Sequence, residues 1–296
     1  MNLATTSLCR PSRSLRRIWF ALLALGLTTS VSLQAAAQQP VAPAVVTFQA
    51  DWRVHLAQDG EGSDARGAQL LLLLGSLGGT DGVAAARDTV SWPASGNGAY
   101  RIDSVLTPRG ALAALLRRLH WVRTASGTVT DGQPLLLAAS NQKGDSPATQ
   151  VQIEHGRMRI HTAGQDASAA QSPSKPAPPG LTDPLTLSWS YLQRPLPDRQ
   201  LTVPLLINDA VQTAHITPRR VNLQWQDQQV PCILLDARSE QSSATLRIWL
   251  RRSDGVPLQV ALGMGDRYGL DVVQTLVAVP EGLRALQAAR HTDTQH

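Results

Sequence analysis

The chain has 296 residues, of which 43% are hydrophobic and 17% charged, so it is long enough for a large core and too balanced for a collagen-like, coiled-coil or wholly disordered protein. The formal net charge is +5. Arg10, Arg13, Arg16 and Arg17 account for most of it, and without them 23 basic residues face 22 acidic ones. The remainder is close to neutral, which excludes a strongly basic nucleic-acid-binding domain.

The first 37 residues predict a cleaved export signal. Residues 1–17 form a positive region without acids, and the apolar stretch from Ile18 to Leu27 is too short to span a bilayer comfortably. Ala35 and Ala37 supply the small-x-small pattern for cleavage after Ala37. No cysteine sits just after the apolar stretch, so no bacterial lipoprotein anchor is implied, and no later run approaches about 18 apolar residues. These features predict a soluble mature chain in the periplasm, with no transmembrane segment. Cys9 leaves with the signal, so Cys232 is unpaired and, among apolar neighbours, is expected to be buried and inert.

Residues 38–46 read as a flexible leader. From Phe48, apolar Phe48, Ala50, Trp52, Val54 and Leu56 alternate with polar residues, the pattern of a half-buried strand. A turn at Asp59–Gly62 leads to an expected return strand from Ala68 to Leu74, and Tyr100, Ile102 and Ser104 begin another. Thr107 and Pro108 have the chemistry of a helix start, followed by Leu112, Leu115, Leu116 and Leu119 at helical spacing. Strand texture resumes at Trp121–Thr130 and Thr149–Ala163.

Residues 164–180 are rich in Pro, Ser and Ala and predict a flexible insertion within one domain. Asp183-Pro184 opens a short helix carrying Leu185, Trp189 and Leu192. Strands follow at Leu201–Asn208, Val211–Thr217, Arg219–Gln226, Val230–Asp236, Ala244–Leu250, Val256–Leu262 and Asp271–Ala278. Their short connections favour antiparallel pairing. The expected architecture is mainly β: an antiparallel curved sheet or open barrel-like fold over residues 47–280, with one or two short helices. Residues 281–296 form a short helix or disordered tail.

Motifs for chemistry are sparse. The seven histidines form no zinc-ligand pattern, and no Gly-x-Ser-x-Gly elbow is present. No catalytic residue, metal or cofactor is assigned. Asp183, Asp236, Asp254, Asp266 and Asp271 read as turn and strand-end caps. Arg157, Arg159 and His161 share a strand face suited to an anion or to solvent, with Gly156 marking a hairpin if the strand is broken. Trp52, Trp121, Trp189, Trp225 and Trp249 are candidates to line an apolar cleft as well as to pack the core.

The order of these segments resembles a family of exported bacterial proteins of unknown function, DUF3108. The resemblance rests on the strand around Trp52, Tyr100-Arg-Ile-Asp103 and Trp121–Thr130 with Ser126-Gly127. It continues through Gly180-Leu-Thr-Asp-Pro-Leu185, Tyr191-Leu-Gln-Arg194 and Leu246–Leu258. The insertion at 164–180 departs from the simplest pattern. The family implies an exported, mostly β protein and supplies no catalytic residues. The expectation is a non-catalytic binding protein for an apolar or amphipathic envelope molecule, such as a lipid or glycan. The alternatives are a protein-interaction module and an envelope hydrolase.

Overall fold

Alternation dictates the architecture. In the computed structural model, which describes residues 45–58, 82–109, 113, 120–163, 174–207, 209–263, 270–284 and 286, fourteen strands form one antiparallel sheet. The first half comprises β1 (Val45–Gln58), β2 (Ala84–Pro93), β3 (Gly98–Pro108), β4 (Trp121–Thr130), β5 (Gln133–Lys143), β6 (Thr149–Glu154), β7 (Arg157–Thr162) and β8 (Lys175–Pro176). The helix α1 (Pro184–Trp189) follows. The second half comprises β9 (Leu201–Ile207), β10 (Ala210–Trp225), β11 (Gln228–Ser239), β12 (Ser242–Arg251), β13 (Pro257–Gly263) and β14 (Leu270–Leu276).

The spatial order is β8-β7-β6-β5-β4-β3-β2-β1-β14-β13-β12-β11-β10-β9. The described strands therefore begin at the middle of the sheet, meander to one edge, cross to the other edge and meander back. β14 ends beside β1, with Trp52 opposite Leu276. β8 and β9 do not pair with each other, so the curved sheet stays open. The described strands belong to one compact unit, and no helix among the described residues is long and apolar enough to cross a membrane.

The crossing from β8 to β9 carries α1 through the interior. Asp183 caps the helix: its carboxylate accepts from the Thr186 amide at 2.9 Å and the Leu185 amide at 3.4 Å. Pro184 then occupies the first turn, where a missing N–H costs nothing. Leu185, Thr186, Leu187, Ser188 and Trp189 are all buried. The helix packs against β3 and β4 from one half and β9 and β13 from the other, so the sheet curls around it. Trp189 meets Phe48 and Trp52 edge-on, with ring centroids at 5.4 and 5.9 Å. Each such pair contributes about 0.5–1.5 kcal/mol beyond simple burial.

Several expectations change. Thr107 and Pro108 do not start a helix; they end β3, opposite Ala85 and Ala84. The helical leucines after them, the return strand at Ala68–Leu74, the turn at Asp59–Gly62 and the export signal lie outside the described residues. Val45 and Val46, expected in the leader, are the first residues of β1. At the far end of the insertion, Lys175 and Pro176 pair with Met158 and Arg157 as β8. Arg157 fixes that segment by donating to the Ser174 hydroxyl at 2.8 Å and its carbonyl at 2.7 Å. Asp236 and Asp271 are not turn caps. Both are buried in strands, where they pair with Arg219 and Arg247.

Candidate functional site

A row of polar residues crosses the inner face of the first half of the sheet. Asp88 of β2 lies opposite Ser104 of β3, Ser104 opposite Arg123 of β4, Arg123 opposite Asn141 of β5, and Asn141 opposite Thr149 of β6. Directly paired residues share a face, so these five side chains line up where the strands otherwise present apolar groups. A bulge helps to build the row. The β4–β5 register shifts at Ser126/Gly127, so that Gly127 faces Leu136 while Ala125 faces Ala139. Without that extra residue, Asn141 and Lys143 would project from the other face.

The deep end of the row is a set of buried ionisable groups. Asp88 is 3% exposed, and its Oδ2 accepts from the indoles of Trp52 at 3.0 Å and Trp189 at 3.1 Å. Its Oδ1 makes no hydrogen bond of good geometry, though Ser104 lies close enough to favour the charged form. Burial pushes the carboxyls of Asp88 and Asp183 upward from their usual range, against the opposing pull of Arg123 on both. Burial likewise lowers Arg123, while Asp88 and Asp183 favour its charge. Arg123 donates to Ser104 at 3.3 Å, and its buried Nε has no hydrogen-bond partner.

The row opens into a cavity of about 250 Å³ between the two halves of the sheet. One wall carries Trp121, Arg123, Asn141 and Lys143. The facing wall is mostly apolar, with Leu205, Leu206, Leu246 and Leu262, and also carries Ser239, Thr245 and Arg238, which is paired with Asp236. Asp183 and Pro184, at the start of α1, also border it. Trp121 and Lys143 are cross-strand partners, and the Trp121 indole donates to the Asn141 side-chain oxygen. The Arg123 guanidinium lies 4.4 Å and the Lys143 ammonium 4.6 Å from the Trp121 ring centre. A smaller hollow of about 20 Å³, bordered by Trp52 and Asp88, shares Trp121 and Arg123 with the main cavity.

The structure distributes the tryptophans named from sequence. Trp121 borders the main cavity and Trp52 the small hollow. Trp189 is fully buried in the core. Trp225 donates to the Leu276 carbonyl at 2.7 Å, and Trp249 packs against the core cluster. Arg157, Arg159 and His161 lie together on β7 after a hairpin turn at His155-Gly156. Arg157 is engaged by Ser174, and His161 shares a 2.7 Å hydrogen bond with Gln150. None of the three borders the main cavity. Among the described residues no cluster of His, Cys, Asp or Glu is placed to hold a metal ion.

Arg123, Asn141 and Lys143 were not singled out from sequence. Their signal is a polar residue in the apolar half of an alternating strand, as with Arg123 between Trp121 and Ala125.

No family model matches this sequence, and no curated protein matches it. Among solved structures, the chain is similar to a beta-barrel-like protein of the domain of unknown function DUF1849 from Brucella abortus. The two share 11% identity with a TM-score of 0.43, over 80% of this chain and 98% of the other.

Proposed function

We propose that the chain is an exported, non-catalytic binding protein that holds an apolar or amphipathic molecule of the bacterial envelope, a lipid or glycan. Its place in this proposal is the periplasm, reached by cleavage after Ala37, and the resemblance to DUF3108 implies export. The observation that carries the reading is the cavity between the two halves of the sheet, with four leucines beside the Asp236-paired Arg238 on one wall and Trp121 with two cations on the other. A concave, mostly apolar space with a small number of placed polar groups is the usual form of a small-molecule site.

Two further observations support binding over the alternatives. The buried carboxylates already have structural duties: Asp88 receives two indole N–H groups, and Asp183 caps α1. The edge at β9 is also engaged by its own chain. Thr182 bridges to Leu205, donating its amide to the Pro204 carbonyl at 3.1 Å and accepting from the Leu206 amide at 2.7 Å. That leaves little of β9 for a partner strand, and Pro204 interrupts the rest.

Native mass spectrometry of protein released gently from the periplasm tests the proposal. A co-purifying amphiphile lost on delipidation is the expected result. Repeated recovery of ligand-free protein, or recovery only from the cytoplasm, overturns it.

A further inference from the structure

The geometry points to a single-chain amphiphile with an anionic head as the occupant, its head held by Arg123 and Lys143 and its chain laid against Leu205, Leu206, Leu246 and Leu262. This rests on the binding function proposed above.

Charge carries the argument. Arg123 and Lys143 both stand over the ring of Trp121, within 4.4 and 4.6 Å of its centre. They are like charges held together by the β4–β5 register, which places Trp121 opposite Lys143 and Arg123 opposite Asn141. Neither forms a salt bridge among the described residues, whereas Arg87, Arg101, Arg219, Arg247 and Arg251 each do. Arg123 also keeps a buried Nε without a partner. An anion beside Trp121 would relieve the repulsion and supply charge-assisted hydrogen bonds to both cations.

The carboxylates behind Arg123 do not fill that role. Asp88 Oδ2 is occupied by Trp52 and Trp189, its Oδ1 is buried without forming a hydrogen bond to Arg123, and Asp183 accepts from the amides of α1. Both acids favour the charge of Arg123, which borders the cavity. Lys143 is exposed at the rim, so an incoming head group meets it first.

Size and surface choose the rest of the molecule. A cavity of about 250 Å³ is smaller than the roughly 300–1,000 Å³ of ordinary ligand sites, so it admits one short chain and not a diacyl lipid. The Trp121 ring, already covered by cations, offers little free face for stacking a sugar. Carboxylate and phosphate monoester heads share the required chemistry.

Calorimetric titration of the full chain with decanoate, decyl phosphate and decanol tests the inference. The expected result is that at least one anion binds about tenfold or more tightly than decanol, the size of one charge-assisted contact. The tighter of the two anions identifies the head. In Lys143→Gln the ratio of anion to decanol affinity falls toward one, and Lys143→Arg preserves it. Arg123→Gln gives the same loss where it folds, and the exposed Lys143 carries the test where it does not. Decanol binding as tightly as both anions, or an unchanged ratio in Lys143→Gln, overturns the head-group assignment and leaves the binding function standing. No binding of any of the three also overturns the inference, while native mass spectrometry decides separately whether the protein holds another ligand.

Discussion

Trp189 of α1 donates its indole N–H to Asp88 of β2 at 3.1 Å, across 101 residues of chain. Trp52 donates to the same carboxylate oxygen at 3.0 Å. One buried acid thus joins the crossing helix to the centre of the sheet. Asp88→Ala leaves two buried donors without an acceptor, each costing about 1–3 kcal/mol. Asp88→Asn keeps an acceptor oxygen and costs less. Urea unfolding of the two variants should show the alanine protein as the less stable. Equal stability would mean that the indoles do not depend on this acceptor.

The same acid predicts a pH dependence. Burial raises the Asp88 carboxyl in the folded state above its usual value of 3.8. In the window above that value, the folded protein retains a proton that the unfolded chain has released. Stability from this group is therefore fully present below about pH 3.8 and declines as pH rises through the folded value. Asp183 is shifted in the same direction by the same cause. Unfolding free energy measured from pH 3 upward should lose part of this downward slope in Asp88→Asn. An identical slope in variant and parent would be incompatible with a raised Asp88.

Cys232 has 0% exposure, and burial pushes its thiol up to about 11 against the opposing charge of Arg251. At pH 8 the folded Cys9→Ser chain, in which Cys232 is the sole thiol, should react with a thiol-specific chromogenic disulfide only after denaturant is added. Rapid stoichiometric reaction without denaturant would show that the core opens at β11.

Gly255 joins β12 to β13 at φ +72°, and a Cβ there would lie 2.1 Å from the Tyr191 carbonyl oxygen. The turn is thus pressed against the segment that leaves α1. Gly255→Ala combines left-handed strain with a backbone clash, for a loss of about 3 kcal/mol. A thermal melt should show a drop of several degrees. Substitution without effect would mean that this turn does not hold the crossing segment.

The second half of the fold is largely legible in the sequence, because its strands alternate clearly and are punctuated by polar turns such as Gln226-Asp227 and Ser253-Asp254-Gly255. Pro218 is an instructive exception. It suggested a break between two strands, yet β10 runs through it from Ala210 to Trp225. β9 ends its pairing at Leu201 opposite Ile216, so beyond that point one side of β10 faces no strand. A proline without an N–H fits there. β2 and β5 were hidden for other reasons. In β2, Asp88 occupies a core-facing position and interrupts the apolar series of Ala84, Ala86, Val90 and Trp92. In β5, the bulge changes the phase of the alternation part-way along the strand. The cavity was illegible for a related reason. Its walls come from β4–β6 and β9–β13, which are brought face to face only by the curling of the sheet around α1.

The pairing of β1 with β14 sets an order of assembly. β1 is the first described strand, yet one of its two edges has no partner until the last strand arrives. A growing chain can zip β1 through β8 as successive antiparallel pairs, but the central strand remains an open template until β14 has been made. An interrupted chain ending before β14 would carry a long, alternating, unpaired edge at what should be the middle of the sheet, the arrangement most prone to join another copy. The vulnerable moment is therefore the interval before β14 returns to β1.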